Sequence, residues 1–93
     1  MFPKLEWDQR RKHLCLRIKL ENLKEMQLNY TNRSIFFRAT VKNVKYGFDL
    51  DFYAEILPEN AKVVHKEKYT NIYLEKKCHA EWPRLLATQI RVS

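Results

Sequence analysis

The chain has 93 residues and a net charge of +7, with 18 basic against 11 acidic side chains, and is 45% hydrophobic and 13% aromatic. That is one small domain, too apolar for wholesale disorder, and it contains no run of the roughly 18–20 apolar residues that a membrane span needs. The start, Met1-Phe2-Pro3-Lys4-Leu5-Glu6, lacks the apolar core of a signal peptide, so a cytoplasmic or nuclear chain is expected.

Period-2 alternation dominates and predicts half-buried strands. Leu5 and Trp7 alternate with Glu6 and Asp8, which places Trp7 in the core beside Leu5. In Leu14–Leu20 the leucines and Ile18 face inward while Cys15, Arg17 and Lys19 face out. Met26, Leu28 and Tyr30 share a face, as do Ile35, Phe37, Ala39 and Val41. The clearest run is Phe48–Ile56, read as one strand with Phe48, Leu50, Phe52, Ala54 and Ile56 inward. Val63-Val64 and Ile72/Leu74 mark the last two strands. Polar connectors separate these runs, among them Gln9–Lys12, Val41–Lys45, Pro58–Asn60 and Lys66–Lys68. Their spacing of roughly 8–12 residues suits an all-β, seven-stranded antiparallel sandwich. From Cys78 the chain becomes a short irregular tail, because Pro83 cannot donate to a sheet ladder. Trp82 in such a tail either packs back on the sandwich or is offered to a partner.

Catalytic and metal signatures are missing. His13, His65 and His79 lie in different segments, whereas a zinc site needs about four convergent ligands. Cys78 and His79 are adjacent, so they point to opposite sides of an extended segment. Cys15 and Cys78 are far apart and read as free thiols. The single glycine, Gly47, excludes a glycine-rich phosphate cradle. Asp49 and Asp51 share a strand face, a pairing expected to complement neighbouring lysines. Outward Tyr53 and Tyr73 beside basic residues raise a nucleic-acid reading. That reading is opposed by the dispersed charge and by the absence of a glycine-aromatic signature. No enzyme, metal or cofactor is expected.

Three stretches carry a resemblance: the opening Pro3–Arg10, the central Asp49–Lys62, and the closing Leu74-Glu75-Lys76-Lys77 with Trp82-Pro83-Arg84-Leu85. Over about residues 3 to 86 the chain resembles a CS domain. Within that group it is similar to the small co-chaperones of heat-shock protein 90, the cytosolic prostaglandin E synthase family. The resemblance implies a monomeric domain, filling residues 1–93, that binds the ATP-bound closed dimer of heat-shock protein 90 and slows its ATPase cycle. It also implies a hold on client proteins, no membrane contact by the domain itself, and partner contacts at Lys76, Trp82, Pro83, Arg84 and Leu85. Lys76 and Arg84 would meet an acidic surface, with Trp82 as the aromatic anchor. Two departures stand out: no acidic run ends the sequence, and Asp8 follows Trp7 where synthase activity in the family rests on a tyrosine. The short stretch between Lys77 and Trp82 also resembles the N-terminal CS module of membrane-bound 3-hydroxyacyl-CoA dehydratases, so the chain is alternatively an adaptor head of a larger protein.

Overall fold

A computed structural model describes residues 2–86. Seven strands form there: β1 (Leu5–Gln9), β2 (His13–Ile18), β3 (Lys24–Tyr30), β4 (Ser34–Val41), β5 (Val44–Asp51), β6 (Ile56–His65) and β7 (Thr70–Lys76). All pairings are antiparallel, in a four-stranded sheet of order β1-β2-β7-β6 and a three-stranded sheet of order β3-β4-β5. The inward faces of the two sheets meet in one core.

The alternation sets that core. Leu14, Leu16 and Ile18 from β2 and Ile72 and Leu74 from β7 line one wall, while Ile35, Phe37, Phe48 and Leu50 line the other, all buried. Phe37 and Phe48 are register partners, and their rings stack at 5.1 Å. The β4–β5 hairpin turns on Lys42-Asn43, both with positive φ (49° and 66°). Positive φ at both central residues is the backbone of the tight turn that matches strand twist.

Four readings change. Trp7 is 38% exposed although the register sets it opposite buried Leu16, because β1 is an edge strand with no neighbour on its far side. The run Phe48–Ile56 is not one strand: β5 ends at Asp51, the chain bends at Tyr53-Ala54, and β6 joins the other sheet. Phe48, Leu50, Phe52 and Ile56 are all buried regardless, because both sheets share one core and the alternation passes through the crossover. Pro58–Asn60 lies inside β6, at a register shift between Leu57 and Lys62, where an edge strand tolerates proline. Asp49 complements an arginine rather than a lysine: the Arg38 guanidinium lies 3.2 Å from its carboxylate and also donates to the carbonyls of Phe37 and Phe48. That guanidinium runs across Gly47, where an added Cβ would stand 2.5 Å from Arg38 Cδ.

Candidate partner-binding site

After β7 the chain does not trail away. Residues 77–86 fold back as a lobe over one end of the sandwich, pinned on two sides. On one side it follows the β5–β6 crossover. The Tyr53 amide donates to the Leu85 carbonyl (2.9 Å), the Lys77 amide donates to the Glu55 carbonyl (3.1 Å), and Phe52 bridges Leu86. The Lys77 ammonium lies 3.0 Å from the Glu55 carboxylate. This bond holds the Glu55 carboxyl below its usual range and raises Lys77.

On the other side one amide side chain makes the central clasp. Gln9, the last residue of β1, donates through Nε2 to the Trp82 carbonyl (2.8 Å) and accepts the Trp82 N–H at Oε1 (2.8 Å). The side chain thereby copies what a neighbouring strand offers a backbone. Oε1 takes a second donor, Lys76 Nζ at 2.7 Å, so both its lone pairs are used. The reverse amide orientation would set an NH2 against two donors, so the network fixes which end is oxygen.

Lys76 sits beneath the lobe with no exposed surface. Its ammonium donates to Gln9 Oε1 and to the Ala80 carbonyl (2.8 Å) and lies 5.6 Å from the Trp82 ring centroid, within cation–π range. Among the described residues no carboxylate bonds to it. Burial therefore lowers its pKa from the ordinary 10.5, with nearby Glu81 partly opposing the shift. Trp82 is 5% exposed, with its ring set between those of Phe52 and Tyr53 at centroid distances of 6.1 and 6.0 Å.

The five residues singled out in the sequence thus converge in one place but divide by depth. Lys76, Trp82 and Leu85 are buried, and Pro83 and Arg84 are exposed. Of the two fates open to Trp82, the structure shows packing back on the sandwich: a bulky ring in a short tail buries more apolar area there than it would in water. Tyr53 continues the exposed face, with the Arg84 guanidinium 5.3 Å from its ring centroid. The sequence alone does not point to Gln9, since a glutamine in a polar connector carries no signal of a partner so remote in sequence. Cys15 and Cys78 are free thiols. Among the described residues no group of three His, Cys, Asp or Glu side chains could hold a metal ion.

The family model for the CS domain matches residues 3–76. The Caenorhabditis elegans protein "Co-chaperone protein daf-41" is 31% identical over 91 residues, covering 97% of this chain and 52% of that protein. The human "Very-long-chain (3R)-3-hydroxyacyl-CoA dehydratase 3" is 30% identical over 95 residues, covering 96% of this chain and 25% of the enzyme. The chain therefore spans about half the length of the first relative and a quarter of the second. Among solved structures, the CS-b5R domains of human Ncb5or superpose with a TM-score of 0.80 at 20% identity, over 92% of this chain and 26% of that one.

Proposed function

Because this chain belongs to the CS-domain family, we propose that it is a co-chaperone domain that binds the ATP-bound, closed dimer of heat-shock protein 90 and slows its ATPase cycle. Similarity to the worm co-chaperone over nearly the whole chain supports the general role. The observation that carries the finer reading is the lobe. Pro83, Arg84 and Tyr53 form an exposed face over a buried latch of Lys76, Gln9 and Trp82. Contact falls to the exposed residues, and Lys76, Trp82 and Leu85 act from below by holding them in place. A rigid face loses little entropy on binding. Preference for the closed dimer raises the population of that state, and contacts bridging its closed elements slow reopening. The domain works as a monomer in the cytoplasm, by binding and without chemistry of its own.

Calorimetric titration into full-length heat-shock protein 90 tests this. Binding with a non-hydrolysable ATP analogue but not with ADP is expected. Equal binding in both states, or none by a folded sample, overturns it. A second reading rests on the dehydratase similarity: the same domain serves as an adaptor head on a membrane enzyme. In that case affinity would lie with the enzyme's own partners, independent of nucleotide.

A further inference from the structure

The tight β1–β2 turn, closed by the Arg10 amide on the His13 carbonyl (2.7 Å), lies beside the lobe. Arg10, Arg11, Lys12 and His13 line a notch of about 630 Å3 together with His79. Arg11 Nε donates to the His79 carbonyl at 3.4 Å, which ties the turn to the lobe. Among the described residues no carboxylate lines the notch; Arg10 and His13 also border the adjoining groove that holds Asp8, Glu59 and Glu75, of which Glu75 approaches His13 to 3.9 Å. Three surface cations elsewhere are paired with carboxylates, Lys19 with Glu6, Arg38 with Asp49 and Lys77 with Glu55. Crowded like charges in a concave site destabilise one another and focus a positive potential on any anion that enters.

We propose that this notch receives two or more carboxylates from an acidic segment of a protein partner, as a second contact beside the Pro83–Arg84 face. The proposal rests on the chain being a partner-binding domain, not on which partner it binds. Protein is favoured over nucleic acid on two grounds. Single-stranded nucleic acid needs aromatic platforms for its bases, and among the described residues no ring besides the imidazoles lines the notch. The exposed Tyr53 ring on the lobe is already faced by Arg84. The basic track is also one turn long, too short to follow a phosphate backbone.

The test uses the full chain, labelled with 15N, titrated with an oligoglutamate peptide and separately with oligothymidine. Salt-sensitive shifts confined to residues 10–13 and 79 are expected with the peptide. A double substitution, Arg10→Gln with Lys12→Gln, should weaken that binding about tenfold, as for loss of two charge contacts. Lys66→Gln with Lys68→Gln lowers net charge equally at the distant β6–β7 turn and should leave affinity unchanged. Equal losses in the two double variants would reduce the effect to overall charge and overturn the proposal. So would absent binding, or tighter binding of oligothymidine to the same residues. None of these outcomes bears on the nucleotide dependence that decides the chaperone reading.

Discussion

Phe37 in the middle of β4 and Trp82 in the lobe are both buried aromatic rings, yet different forces hold them. Phe37 is fully enclosed by apolar neighbours contributed at every second residue by strands of both sheets. Removing any one neighbour leaves the others. Trp82 has two aromatic neighbours, a lysine ammonium, and a backbone tied by one glutamine. The sandwich is specified redundantly by pattern. The lobe is specified by a few particular atoms, so few substitutions should damage it and those few should damage it selectively.

The largest effect should fall on the redundant side. Phe37→Ala should cost about 3–5 kcal/mol, the range for a buried aromatic, seen as a lowered urea midpoint for the whole domain. A near-neutral result would remove the contrast. Gln9→Ala should cost about 2 kcal/mol, because it strips partners from the Trp82 amide, the Trp82 carbonyl and the Lys76 ammonium together. Its signature is local: Trp82 fluorescence should shift towards that of exposed indole while the far-ultraviolet strand signal persists. Loss of both signals together would mean that lobe and sandwich are one unit.

Lys76→Met sharpens the comparison through pH. The folded-state pKa of Lys76 is lowered by burial, so the unfolded chain binds more protons between that lowered value and 10.5. Stability linked to this group is therefore fully present above 10.5 and lost as pH falls through the folded value. The wild type should gain stability relative to Lys76→Met as pH rises across that window. At neutral pH the variant should lie within about 1 kcal/mol of wild type, since loss of two hydrogen bonds is offset by removal of a buried charge. A parallel pH dependence in the two proteins would show that the ammonium is solvated. The smallest effect on the fold should be that of Arg84→Glu, within about 0.5 kcal/mol as for exposed positions, while chaperone binding in calorimetry drops at least tenfold. Unchanged binding would move the contact face elsewhere.

What the sequence reveals follows the same division. Inward faces such as Leu14–Leu16–Ile18 and Phe48–Leu50–Phe52 are legible, since alternation is a local property repeated many times. The sheet change after Asp51 is not, because residues on both sides of the crossover face one core and the pattern continues unbroken. Trp7 shows the converse: its alternation is correct, but alternation cannot tell an edge strand from a central one. Gly47 lacks a side chain because Arg38 lies across it, a reason visible only once β4 and β5 are in register. The tail is legible as a cluster, Lys76 with Trp82–Leu85, but not by depth. Which of those residues face solvent is decided by Gln9, whose partner is 73 positions away.

That separation sets an order of assembly. Closing so long a loop is entropically disfavoured until intervening contacts have shortened it, so the bond between Gln9 and Trp82 forms after β1 has docked on β2 and β2 on β7. Pro83 and Arg84 take up their positions only in a finished domain. On the proposed function, a chain caught half-made, with its sheets still incomplete, would offer a partner no assembled face to hold. A bond that closes only after those pairings thus acts as a check on them.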